Sequence, residues 1–144
     1  ILMRQNPPFN MDYITATFLL ENISNKTKIL NNPVAVRNIP EKLCSIYFTK
    51  LMPPSLFTKD INEIEKFRKK YKKVIIKPTH GFGGNNIFYV TNNTNTSKII
   101  KYLNKNEHVM VQKFLPQIKH GDKRIFIIDG KVKGAIKRVP KKNQ

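Results

Sequence analysis

The stretch Val74 to Val90, VIIKPTHGFGGNNIFYV, constrains this chain more than any other. An apolar run ends in Lys77-Pro78, glycines follow at 81, 83 and 84, and a second apolar run begins. Ile87, Phe88, Tyr89 and Val90 suit a pleated surface, so the pattern predicts two strands joined by a glycine-rich flap. Glycine lacks a Cβ and adopts positive φ, so backbone N–H groups in such a flap can approach a polyphosphate closely. Lys77 puts a fixed positive charge beside it. Neither common phosphate fingerprint is present: a Walker A loop needs Gly-Lys-Ser/Thr entering a helix, and a dinucleotide loop needs a strand-to-helix passage. For the glycines alone an ordinary hairpin turn is the competing reading.

Charge points elsewhere at first. A formal net charge of +18 on 144 residues makes nucleic acid or an anionic surface the default partner. Lys is spread along the whole chain, however, and Phe88 and Tyr89 form no RNA-binding motif. Runs such as Lys69-Lys70-Tyr71-Lys72-Lys73 read as solvated helix ends. No run is long enough for a membrane span, so neither nucleic acid nor membrane is expected as a partner. The single cysteine, Cys44, excludes an internal disulfide framework and a cysteine zinc cluster, reads as a packed thiol on a helix, and fits a reducing cytoplasm. Histidines 80, 108 and 120 show no ligand spacing. Both ends look cut, Ile1-Leu2-Met3 inside an apolar strand and Lys141-Lys142-Asn143-Gln144 without a finishing element, which reads as an internal piece of a longer protein.

Along the chain, Ile1 to Met3 reads as the end of a buried strand and Asn6-Pro7-Pro8-Phe9 as part of a rigid loop. A helix from Asn10 to about Ile23 follows, with Ile14 and Phe18 on one face, and Val34 to Val36 suits a short strand. Asn38-Ile39-Pro40-Glu41 and Asp60-Ile61-Asn62-Glu63 both have capping-box order, which predicts helices from Ile39 to Thr49 and from Asp60 onward. The second carries an apolar stripe of Ile61, Ile64 and Phe67. Strands Val74 to Lys77, Asn86 to Val90 and Val109 to Leu115, and a helix from Ser97 to about Asn104, complete a small unit. Lys123 to Ile128 and Lys131 to Val139 flank Asp129-Gly130, a strong hairpin signal. The class is α+β, with segments 1–37, 38–115 and 116–144.

Five segments in order carry a family resemblance: Met3 to Phe9, Pro40-Glu41-Lys42-Leu43, Lys77 to Gly84, Gln112 to Pro116 and Gly121 to Gly130. Together they resemble the ATP-grasp ligases, and more closely the bacterial glutathione synthetase family. The resemblance implies an ATP-grasp fragment: the end of an N-terminal substrate-binding domain (1–37), a nucleotide lid subdomain (38–115) and the start of the C-terminal ATP-grasp subdomain (116–144). The implied reaction joins γ-glutamylcysteine to glycine with ATP and magnesium, or manganese in its place. A substrate carboxylate takes the γ-phosphoryl group, and the glycine amine attacks the resulting acyl phosphate. A homo-oligomer is implied for the complete protein, and inactivity for this piece alone. Another ATP-grasp carboxylate–amine ligase is the nearest alternative, since the lid and its lysines are shared while the acceptor pocket is not seen.

The resemblance also assigns residues. Lys42 and Lys77 match the lysines that meet nucleotide phosphates, Gly81, Gly83 and Gly84 the loop that closes over them, and Gln112, Lys113, Phe114 and Leu115 the strand whose backbone edge receives adenine. Asp122 matches a group serving ribose or nearby cations. Arg124 and Arg138 match arginines at the transferred phosphate and the reaction centre, where a rigid guanidinium fork suits phosphate or carboxylate. Arg4 matches a substrate-side loop. Asn6, Asn10 and His80 stand where acids are common in the family, and the family's magnesium ligands are expected beyond Gln144.

Overall fold

The computed structural model describes residues 1–106 and 108–139; Glu107 and residues 140–144, the end of the expected 116–144 segment, lie outside them. The chain divides into two units, Ile1–Lys113 and Phe114–Gln144.

In the first unit, helix α1 (Met11–Asn22) starts where the Asn10 side chain accepts the Tyr13 N–H at 3.1 Å. Helix α2 (Pro33–Asn38) starts the same way, Asn32 accepting from Ala35 N–H at 3.0 Å with Pro33 in the first turn. This replaces the short strand expected over Val34 to Val36: a side-chain cap followed by proline presets a helical turn, and that outweighs β-branched propensity over so short a run. Asn38, expected to cap a helix from Ile39, instead ends α2. The chain then enters a 3-10 segment, Leu43–Leu51, bent at Phe48 and begun without a side-chain cap. Ile1 to Met3 makes a single parallel bridge, Leu2 to Leu30, and only Met3 is buried. Phe18, one turn after Ile14 on the same face of α1, is not buried; it lies at the surface with the Arg37 guanidinium 3.9 Å from its ring centre. Arg37 also reaches Glu21 at 2.9 Å, which ties α2 to α1.

Strands β1 (Ser55–Thr58), β2 (Lys73–Pro78), β3 (Phe88–Thr91) and β4 (Val109–Lys113) form an antiparallel sheet in the order β1-β4-β2-β3. Helix α3 (Ile61–Tyr71) is capped by Asp60, whose side chain accepts from Asn62 N–H, and α4 (Thr96–Leu103) by Asn95 through Ser97 N–H. Side chains alternate across a strand, so Val74, Ile76, Val90, Val109 and Val111 share one face. There they bury Ile64 of α3 and Ile99 and Leu103 of α4, and this is the core. The other face carries Ser55 on β1, Met110 and Gln112 on β4, and Ile75 and Lys77 on β2. A sheet with an apolar back and a mixed front is what a site needs: the back fixes the strands, and the front presents polar groups.

In the second unit a short 3-10 turn, Pro116–His120, leads to β5 (Asp122–Ile128) and β6 (Lys131–Arg138), an antiparallel hairpin around Asp129-Gly130. Asp129 and Gly130 have φ of +50° and +70°, as such a tight turn requires, and a bulge interrupts the register between Phe126 and Ile127. Among the described residues no helix is long and apolar enough to cross a membrane.

Candidate active site

Lys77 sits on the sheet's front face near the end of β2. Its ammonium donates to Gln112 Oε1 at 3.1 Å, and Gln112 Nε2 donates in turn to Ser55 Oγ at 2.8 Å. Burial lowers the Lys77 pKa from the ordinary 10.5, the positive charge of Lys42 lowers it further, and Glu41 opposes both. A charged group partly withdrawn from water beside a second cation is poised to take an anion.

Lys42 comes from the residue before the 3-10 segment, and its ammonium donates to the Gly81 carbonyl while lying 3.9 Å from the Glu41 carboxylate. It thereby holds the near end of the glycine turn. Tyr102 of α4 holds the far end, where its hydroxyl donates to the Asn86 carbonyl. Burial pushes the Tyr102 phenol up to about 12, so it remains a donor at any ordinary pH. Between these anchors Gly83 and Gly84 take φ of +62° and +78°, the left-handed region that side chains with a Cβ avoid. Lys42, Lys77, Gly83, Gly84 and Ile87 line a cleft of about 160 Å³. The arrangement places two ammonium groups, the Glu41 carboxylate and the glycine turn around one small volume, and the two cations against one acid suit it to an anion such as a phosphate chain.

A second cavity of about 340 Å³ shares Glu41, Lys42, Gly81 and Phe82 with the cleft and is otherwise lined in part by Phe9, Tyr13 and Ile39. His80 stacks its ring on Phe9 with centres 6.2 Å apart and planes at 14°. Arg4 lies in the exposed loop before Phe9, and the cavity is lined there by Gln5 and Pro7.

The remaining expected residues are distributed differently. β4 is an inner strand, so its main chain from Val109 through Gln112 is paired with both β1 and β2, and the Lys113 N–H donates to the Pro54 carbonyl at 2.9 Å. The main chain of Gln112, expected as part of an edge strand, is thus paired on both sides, and Phe114 and Leu115 begin the second unit. The Lys113 side chain leaves by the opposite face, with its ammonium 6.0 Å from the Tyr71 ring centre. In the second unit Asp122 and Arg138 face each other across the hairpin, and Arg138 donates through Nε at 3.1 Å and through Nη2 to the two carboxylate oxygens. That hydrogen bond holds the Asp122 carboxyl below its ordinary value. Arg124 lies exposed on β5 opposite Ile136. Among the described residues no three His, Cys, Asp or Glu side chains gather where they could hold a metal, and Asp122 is already bound by Arg138. The described residues do not make a magnesium site, since that ion takes several oxygen ligands. Ser55 and Tyr102 were not singled out from sequence: Ser55 follows Pro53-Pro54, and the pairing that brings either side chain to the site spans distant segments.

A strand–glycine turn–strand lid on a four-stranded antiparallel sheet backed by helices defines an ATP-grasp fold. A RimK domain protein of ATP-grasp type from Sphaerobacter thermophilus superimposes with a TM-score of 0.67 at 17% identity, over 89% of this chain and 51% of that one. The chain belongs to the prokaryotic glutathione synthetase family: residues 41–144 match the family's ATP-grasp domain and residues 1–37 its N-terminal domain. It is 46% identical over 143 residues to the glutathione synthetase of Rhodopseudomonas palustris, covering 97% of this chain and 46% of that protein. Against the glutathione synthetase of Agrobacterium fabrum the identity is 44% over 146 residues, covering 99% and 46% respectively. The chain thus spans about half the length of the relatives it matches.

Proposed function

We propose that this chain is the nucleotide-binding part of an ATP-dependent ligase that forms glutathione from γ-glutamylcysteine and glycine. The observation that carries the reading is the convergence of the Lys42 and Lys77 ammonium groups on the cleft of the Gly83-Gly84 turn. Phosphoryl transfer depends on positioning and on neutralising charge spread over phosphate oxygens. Lys77 supplies a point charge fixed by the sheet, Lys42 a second from the segment that ends before Leu43, and the glycine turn lets main chain approach closely. On this reading the adjoining cavity, which shares Glu41, Lys42, Gly81 and Phe82 with the cleft, takes the carboxylate substrate.

On this reading 1–37 closes a substrate-binding domain, 38–115 is the lid, and 116–144 opens the following subdomain, with Arg124 and Arg138 serving the phosphoryl and acyl-phosphate groups. Magnesium accompanies ATP, held by acids other than those described here, and the complete protein works in the cytoplasm as a homo-oligomer. The test is phosphate release by the full-length protein. Release that requires ATP, magnesium, γ-glutamylcysteine and glycine together is the expected outcome, and equal release without the dipeptide contradicts it. Lys77→Ala weakens ATP binding by about 1.5 to 3 kcal/mol, the worth of one hydrogen bond to a charged group.

A further inference from the structure

Three side chains lie in a row across the front of the sheet, each on a different strand: Ser55 on β1, Gln112 on β4 and Lys77 on β2. Their hydrogen bonds have only one consistent direction. Ser55 Oγ has a single proton and donates it to the Pro53 carbonyl at 2.8 Å, so toward Gln112 it acts as an acceptor. The Gln112 amide must then turn its NH2 to Ser55, at 2.8 Å, and its carbonyl to Lys77, at 3.1 Å. An ammonium has donors only, so the carbonyl is the one end of the amide it can meet. With the amide reversed, two donors would face each other beside a half-buried charge, a high cost where water is scarce.

We infer that Ser55 and Gln112 are positioning residues for Lys77: the serine sets the polarity of the glutamine amide, and the glutamine holds the lysine ammonium at the wall of the phosphate cleft. Of the three only Ser55 lies outside the motifs that carry the family resemblance, and the resemblance gives Gln112 a main-chain role alone. Here its side chain has a separate task. Lys77 is a flexible four-carbon stem carrying a point charge, and without a fixed acceptor it loses rotamer freedom each time phosphate binds. The inner position of β4, paired on both sides, gives Gln112 a firm backbone from which to hold it.

The inference rests on Lys77 meeting phosphate, so its test separates the two. In the full-length protein, KM for ATP, kcat and the melting temperature are measured for Lys77→Met, Gln112→Met, Ser55→Ala and Ser55→Thr. Lys77→Met and Gln112→Met raise KM for ATP about 10-fold or more, the equivalent of losing one charge-assisted hydrogen bond. Ser55→Ala raises it in the same direction, and Ser55→Thr, which keeps the hydroxyl, restores it. A purely structural role would lower the melting temperature of Ser55→Ala and leave KM for ATP unchanged, and that result overturns the inference while leaving the nucleotide site intact. If Lys77→Met itself leaves KM for ATP unchanged, the nucleotide reading fails instead. Should Ser55→Ala not fold, Ser55→Cys decides: it keeps the size of the side chain but accepts poorly from the Gln112 amide, so KM for ATP must rise, and an unchanged KM overturns the inference.

Discussion

The ammonium of Lys42 is bonded to the carbonyl of Gly81, a contact across 39 positions of chain that joins the start of the 3-10 segment to the start of the glycine turn. At the turn's other end the Tyr102 hydroxyl is bonded to the Asn86 carbonyl. The flap is therefore held at both ends by side chains from outside it, and one of the two is also a cation that the cleft needs. On the proposed function, a phosphate entering the cleft competes with Gly81 for Lys42.

Lys42→Met keeps most of the aliphatic stem and removes the charge. Amide hydrogen exchange over residues 81–87 is expected to speed up, and ATP binding to weaken about 10-fold. Hydrogen-exchange mass spectrometry and calorimetry on the same variant check both, and unchanged exchange in the turn would show that the Lys42 contact does not hold it.

The depressed pKa of Lys77 has a definite sign. Phosphate binding uses the ammonium, so ATP affinity is full at lower pH and falls as pH rises through a value below the ordinary 10.5. For stability the sign is reversed: the folded state sheds this proton before the unfolded chain does, so the fold gains as pH rises through that window toward 10.5. Burial is the larger cause and the Lys42 charge the second. In Lys42→Met the midpoint of the affinity loss moves to higher pH, read from ATP binding against pH; an unmoved midpoint counts against the coupling.

Gly84 and Gly121 separate two reasons for a glycine. A Cβ at Gly84 would meet nothing within 4 Å, so Gly84→Ala costs only the left-handed backbone at φ +78°, about 1 to 2 kcal/mol. A Cβ at Gly121 would lie 2.1 Å from the Arg138 carbonyl oxygen, on backbone that also has φ +89°. Gly121→Ala must therefore part the open end of the hairpin. Thermal melting should rank Gly121→Ala as the more damaging, and the reverse order would contradict the close approach.

The Asp122 carboxyl is held below its ordinary 3.8, first by the Arg138 hydrogen bond. What this pair contributes to the hairpin is present above 3.8 and lost as pH falls through the lowered value. Carbon-detected NMR titration of Asp122 should give a midpoint below 3.8 that rises in Arg138→Gln. A midpoint that the variant does not move would deny the pairing.

Much of the local structure was legible in the residues. The helix from Asp60, the strands on either side of Gly81 to Asn86 and the hairpin at Asp129-Gly130 follow from caps, apolar periods and turn chemistry within a few positions of chain. The errors came where two local signals competed. At Asn32-Pro33 a cap outweighed the strand propensity of Val34 and Val36, and the capping order at Asn38 was already spent on ending a helix.

The sequence by itself determined that a lysine ends a strand at a glycine turn, because strand, proline and glycine act through neighbouring backbone. Only the tertiary structure decided what surrounds that lysine. Ser55, Lys77 and Gln112 come onto one face through the strand order β1-β4-β2, and Lys42 and Tyr102 reach the turn from segments far along the chain. Such contacts depend on register and on which face is buried, and these are settled by packing of the whole sheet rather than by any one stretch of it.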